Sequence, residues 1–129
     1  MPVDAAEAEL IAKSLRRWAG WDKIPDEFLG ELCRTAELIE VKRKRSVFRR
    51  GEVGPGLFLV KSGEFKLSLI SSEGREQILY LAEPGKLIGE GFLPGDVQAA
   101  ASAFAMVDSE IWRFDTDVVV KLIARSEEL

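Results

Sequence analysis

A series of turn signals at short, regular intervals constrains this chain more than any other feature. Arg50-Gly51-Glu52-Val53-Gly54-Pro55-Gly56 holds three glycines and a proline. Lys61-Ser62-Gly63-Glu64 and Ser71-Ser72-Glu73-Gly74-Arg75 read as hairpin loops, and Pro84-Gly85 and Val107-Asp108-Ser109 as further turns. The runs between them are short and apolar or alternating. Leu57-Phe58-Leu59-Val60 is strongly apolar. Phe65, Leu67 and Leu69 alternate with Lys66 and Ser68, so one face is buried. Residues 77–81 read as the returning strand, then Leu87-Ile88, then residues 101–106 and 110–114. With residues 37–42 this makes seven or eight strands at about ten-residue spacing, which means a β-sandwich or barrel.

The flanks change rhythm. Residues 4–19 read as a helix, with Asp4 as cap, Glu7 three residues on as in a capping box, and Leu10, Ile11, Leu15 and Trp18 as an apolar stripe. Gly20 ends it. A second helix is expected over about residues 25–35, with Pro25 at its first position and Phe28, Leu29 and Leu32 on the buried face. Trp18 and Trp21 are read as packing on the core. Residues 115–125 return to helix, capped by Asp115 or Thr116, with Val118, Val119, Leu122 and Ile123 inward. Ser126-Glu127-Glu128-Leu129 reads as the start of a further helix, cut off.

Composition removes several functions. The chain has 129 residues, a net charge of −4, one cysteine and no histidine. The acidic balance argues against a grip on nucleic acid by this segment alone. Without histidine, His-based catalysis and His–metal sites are out. A lone Cys33 excludes a disulfide framework and an iron–sulfur cage, and its place beside Leu32 suggests a buried structural thiol. No nucleophile–base pair stands out, so no enzyme is expected. The longest low-polarity run, residues 99–107, is too short to span a bilayer. The N-terminus lacks a signal-peptide core. No membrane association and a cytoplasmic location are expected.

Two stretches invite a functional reading. Lys42-Arg43-Lys44-Arg45 and Arg49-Arg50 form a basic cluster: either a patch for nucleic acid or another anionic partner, or a solvated strand and turn with Val47 and Phe48 facing inward. The second stretch is residues 84–107. There Gly89-Glu90-Gly91 permits positive φ and close backbone approach, and its N–H groups can form an anion-holding nest. No Lys or Arg lies between Lys86 and Arg113.

In order, these pieces resemble the effector domain of the Crp/Fnr transcription regulators, the cyclic-nucleotide-binding jelly roll. Gly51-Glu52, Leu59-Val60-Lys61-Ser62-Gly63 and Pro84-Gly85 through Ile88-Gly89-Glu90 carry the resemblance, which covers residues 15–129. It implies a mainly β fold with flanking helices, a double-stranded β-helix jelly roll. Residues 1–35 would be helices packing on the barrel, 36–114 the effector-binding jelly roll, and 115–129 the start of a truncated helical segment lacking a helix-turn-helix. In that family the Glu accepts a ribose hydroxyl and an Arg downstream pairs with the cyclic phosphate. Gly89 and Glu90 match. The Arg position falls near Ala99 or Ala100, and no cation is there. A charge-assisted hydrogen bond is worth roughly 1.5–3 kcal/mol. Losing a bidentate pair would therefore weaken binding by about two to four decades.

Ordinary cyclic-nucleotide binding is thus expected to be weak or absent. The expected ligand-binding residues are Gly89, Glu90, Gly91, Phe92, Ala99, Ala100, Ala101, Leu67 and Leu79, with Ile88 and Ala103 completing an apolar lining that suits a neutral or hydrophobic effector. Gly89-Glu90-Gly91 also reads as a corner that the jelly roll itself needs. No cofactor is expected; haem and iron–sulfur sensing lack their ligands, Pro2, Cys33 and Met106 being the sole haem candidates. The resemblance implies a small-molecule effector, a homodimer for the full-length regulator, and DNA contact only through a C-terminal domain that this chain lacks. The competing reading is a stand-alone module acting through a protein partner.

Overall fold

A computed structural model describes residues 1–18, 21–89 and 98–127. Helix α1 (Ala5–Leu15), a 3-10 turn (Trp21–Lys23) and helix α2 (Asp26–Arg34) precede eight strands: β1 (Glu37–Val41), β2 (Ser46–Phe48), β3 (Leu57–Ser62), β4 (Phe65–Ile70), β5 (Glu76–Ala82), β6 (Leu87–Ile88), β7 (Ser102–Ala105) and β8 (Ser109–Phe114). Helix α3 (Thr116–Glu127) follows. The strands form two antiparallel sheets, ordered β1-β8-β3-β6 and β2-β7-β4-β5. Each sheet alternates early and late strands, the interleaving of a jelly roll. Strand β2 holds Val47 and Phe48, the inward pair of the basic turn.

The first sheet is covered on both faces, which explains the unbroken apolar run in β3. Leu57 and Leu59 join Trp112 and Phe114 under Ile11, Leu15, Leu29 and Leu32 of the helices. Phe58 and Val60 face the other way, toward Phe65, Leu67 and Ala103 of the second sheet. The layers are therefore helices, first sheet, second sheet. Nothing among the described residues covers the outer face of the second sheet. Strand β5 lies at its edge, with Ile78, Leu79, Tyr80 and Leu81 between 41% and 49% exposed.

Several expectations about the helices change. Helix α1 stops at Leu15 with Arg16 as its C-cap, and Gly20 lies outside the described residues. Leu10 is 51% exposed, while Ala8 takes the inward position with Ile11 and Leu15. That face is set by the spacing 8, 11, 15, the helical repeat. Asp4 caps the helix by accepting from the Glu7 N–H at 2.8 Å. The Glu7 carboxylate does not complete the capping box. Its Oε1 accepts from Lys61 Nζ at 2.7 Å and from Trp112 Nε1 at 3.2 Å, tying α1 to the first sheet. Lys61 reaches it because it is the extra residue of a bulge, Val60 pairing with Ile111 and Ser62 with Glu110.

Helix α2 buries Phe28, Leu29, Leu32 and Cys33 as expected. Burial pushes the Cys33 thiol up from 9.0 to about 11, against the opposing charges of Arg16 and Arg34. Asp115 caps α3, accepting from Asp117 N–H at 2.8 Å. Ser126 and Glu127 continue α3 rather than opening a new helix; Glu128, Leu129 and the Ile123 side chain lie outside the described residues. No helix among the described residues is long and apolar enough to cross a membrane.

Candidate ligand site

The site forms where β6 leaves the first sheet. Leu87 and Ile88 pair with Leu59 and Phe58 of β3, and Gly89 ends the strand at φ 97°. That left-handed conformation is open to glycine at little cost. Glu90, Gly91 and Phe92 fall in residues 90–97, outside the described residues. The chain re-enters at Gln98, which bridges to Val53. Ala99 is then pinned on both sides: Gly51 N–H donates to its carbonyl and its own N–H donates to the Glu52 carbonyl, both at 2.8 Å. The Gly51-Glu52 turn thus fixes the backbone at Ala99.

A cavity of about 200 Å³ lies between the sheets at this corner. Of the expected ligand-binding residues, the structure brings Leu67, Leu79, Gly89, Ala100 and Ala101 together around it, with Ile88. Ala99 sits behind that wall, 2% exposed, packed with Phe58 and Ala103 in the core between the sheets. Ala100 and Ala101, in the irregular segment between Ala99 and β7, both border the cavity, and Ala100 is exposed. Ala103, in register with Leu67, is, like Ala99, core rather than lining.

Two lining residues escaped the sequence reading, Phe48 and Tyr80. Phe48 was placed inward, but nothing in its neighbourhood says that it reaches this corner; its ring stacks on Phe58 with centroids 5.7 Å apart. Tyr80 was hidden by a bulge. Leu67 pairs with Tyr80 and Ser68 with Ile78, leaving Leu79 as the extra residue. The bulge re-aims β5 so that Leu79 and Tyr80 both border the cavity. In β4 the burial departs from the expected pattern: Ser68, which shares the Glu76 carboxylate with Lys66 and donates to it at 3.2 Å, is buried, and Leu69 is only half-buried.

No described residue lining this cavity carries a charge. The cation at the start of β6, Lys86, stands beside the cavity, between the rings of Trp18 and the lining residue Tyr80. Its Nζ lies 5.4 Å from the Trp18 ring centroid and 5.3 Å from that of Tyr80, positions favoured by the negative ring faces. Trp18 is fixed in turn by Nε1 donating to the Gly85 carbonyl at 3.2 Å. An anion entering here would meet no charged side chain among these lining residues, and Lys86, over the Tyr80 ring, is already engaged by two aromatic faces.

Residues 38–126 match the family model described as "Cyclic nucleotide-binding domain". The cyclic AMP receptor protein of Thermus thermophilus is 35% identical over 81 residues, which cover 63% of this chain and 38% of that relative. The chain therefore matches well under half of that regulator's length. Among solved structures, the sensor domain of the transcriptional regulator DNR from Pseudomonas aeruginosa superposes with a TM-score of 0.83 at 22% identity, covering 94% of this chain and 81% of that one. The N-terminal domain of a transcriptional regulator from Streptomyces coelicolor gives 0.77 at 26% identity, covering 89% and 80%.

Proposed function

This chain belongs to the cyclic nucleotide-binding domain family, and from that premise we propose that it is the effector-sensing part of a Crp/Fnr-type regulator whose effector is not an ordinary cyclic nucleotide. One observation carries the second half of the reading: the described residues that border the cavity carry no charge, and Ala100, near the position where a phosphate-pairing arginine is wanted, is among them. A lining of Phe48, Leu67, Leu79 and Ile88 favours a small neutral or hydrophobic molecule, oriented by few polar groups. Effector binding would bias a two-state element that follows the jelly roll, and α3 is the first segment of it. DNA contact and a homodimer would belong to the longer regulator, working in the cytoplasm.

Titration with a fluorescent cyclic nucleotide, with unlabelled competitor, tests this. The expected result is no saturable binding at micromolar concentrations. Competitive binding at low micromolar affinity would overturn it. A thermal-shift screen of small neutral compounds should find the effector class, because a ligand that binds only the folded state raises the midpoint.

The alternative, a module acting through a protein partner, is favoured by β5, whose Ile78, Leu79, Tyr80 and Leu81 stand exposed at a sheet edge. The coding sequence downstream separates the two. A helix-turn-helix there supports the first reading.

A further inference from the structure

We propose that the outer face of the second sheet, around Phe104, is a docking surface for an acidic, apolar-containing segment of a partner protein. The reading is independent of what occupies the cavity between the sheets.

The chain has a net charge of −4, yet this face gathers cations. Arg43, Lys44, Arg45, Arg49 and Arg50 are all exposed, and among the described residues none of them forms an ion pair. The fold brings more positive charge to them. Strands β2, β7 and β4 set Ser46, Phe104 and Lys66 side by side. The Arg49 guanidinium and the Lys66 ammonium both lie over the Phe104 ring, 5.7 and 5.8 Å from its centroid. The turn between β1 and β2 is anchored to the same place, with Lys44 N–H donating to the Ala105 carbonyl at 2.8 Å. Lys44 holds φ 73°, the sole non-glycine described at positive φ. Lys66 is already paired with Glu76, so Arg49 is the cation over this ring left for an arriving carboxylate among the described residues.

The shape fits an extended polypeptide. A depression of about 360 Å³ is bordered by Arg43, Lys44, Lys66 and Phe104 and reaches Ile70 and Glu76. A second, of about 610 Å³, continues from Ile70 and Glu76 to Arg50 and Arg75. From Lys66 to Ile70 the trough follows about 13 Å of strand. It has cations toward both ends and an apolar floor between them, where Ile70 is 54% exposed. Two carboxylates also line it. Glu76 is already engaged by Lys66 Nζ at 2.9 Å and Ser68 Oγ at 3.2 Å, and Glu73 sits at the hairpin tip.

These details favour protein over nucleic acid. A phosphate backbone presents one charge after another and gains nothing from Phe104 and Ile70, while Glu73 and Glu76 repel it. An extended peptide directs alternate side chains to one side, so acids can meet the end cations while an apolar residue covers the floor.

The probe is a fluorescein-labelled peptide of alternating Glu and Leu, followed by anisotropy at low ionic strength. Controls are the same peptide with Lys for Glu and a labelled DNA duplex. The expected result is saturable binding of the Glu peptide, weakened about tenfold or more by the double charge reversal Arg43→Glu with Arg49→Glu, and weakened by salt as surface charges are screened. Both residues are exposed, so the melting temperature should hold; a Phe104→Leu variant, which keeps an apolar floor but removes the ring, gives a second readout and should also weaken binding. The proposal is overturned if the Glu peptide does not bind, if the charge reversal leaves its affinity unchanged, or if the duplex binds more tightly than the peptide.

Discussion

The Gly51 N–H donates to the Ala99 carbonyl at 2.8 Å, tying the turn before β3 to the segment that leads into β7. With Ala99 N–H bound to the Glu52 carbonyl, residue 99 is locked with its side chain in the core between the sheets. The next residue, Ala100, is exposed and borders the cavity.

A cation at the two neighbouring positions should therefore behave oppositely. Ala100→Arg places a guanidinium at the cavity wall and should raise affinity for a fluorescent cyclic nucleotide by about two decades, the worth of a charge-assisted bidentate pair. Ala99→Arg forces a charge into the core and should destabilise the fold by about 3 kcal/mol or more without any gain in binding. Titration and urea unfolding of both variants check this.

Gly63 should tolerate no side chain. Its φ is 84°, and a Cβ there would fall inside contact distance of the Ser109 side chain. That same serine accepts from the Glu64 N–H at 3.1 Å, holding the β3–β4 hairpin against β8. Gly63→Ala should cost about 3 kcal/mol and lower the melting temperature by roughly 10 °C. Adding Ser109→Gly should return part of that loss, since it removes the clash and leaves the backbone strain. Calorimetry of the single and double variants measures both parts.

The Glu7–Lys61 pair should couple α1 to the first sheet. The hydrogen bond to Glu7 raises the Lys61 pKa above its ordinary 10.5, against the opposing effect of burial. A raised folded value means that the stabilisation is complete below the ordinary lysine range and is lost as pH rises through the folded value. A double-mutant cycle of Glu7→Gln and Lys61→Met, read by urea unfolding at neutral pH, should give a coupling of about 1 kcal/mol. The same cycle run well above pH 10.5 should give none.

Cys33 should be inert in the folded protein. Its side chain is fully buried and its thiol is pushed up to about 11 by burial. An aromatic disulfide reagent at pH 8 should label it only as fast as the protein unfolds. The unfolded chain loses this proton first, so stability should fall between 9.0 and about 11. Cys33→Ala should flatten that part of the pH profile.

Much of the β framework was legible because turn chemistry is local. The glycine at 63, the Pro84-Gly85 turn and the apolar run at 57–60 announce strands and corners from nearest neighbours alone. The order of those corners also carried the family. Side-chain direction was legible only where alternation holds. That pattern missed Tyr80 because one extra residue in β5 changes which side chains reach the cavity, and a bulge depends on what the partner strand does. Leu10 read as part of a stripe because it is apolar, and is exposed because residues 8, 11 and 15 already fill the contact with the sheet.

By itself, then, the sequence determined the class of fold and the lack of any Lys or Arg from residue 87 to 112, and it favoured a buried Cys33, all from residue identity and short spacings. The tertiary structure alone decided that Glu7 leaves its own helix for Lys61 and Trp112, that Ala100 rather than Ala99 borders the cavity, and that Arg49 and Lys66 share Phe104. Each of these joins residues far apart in the chain. Their meeting follows from sheet pairing and bulges, which no local pattern encodes.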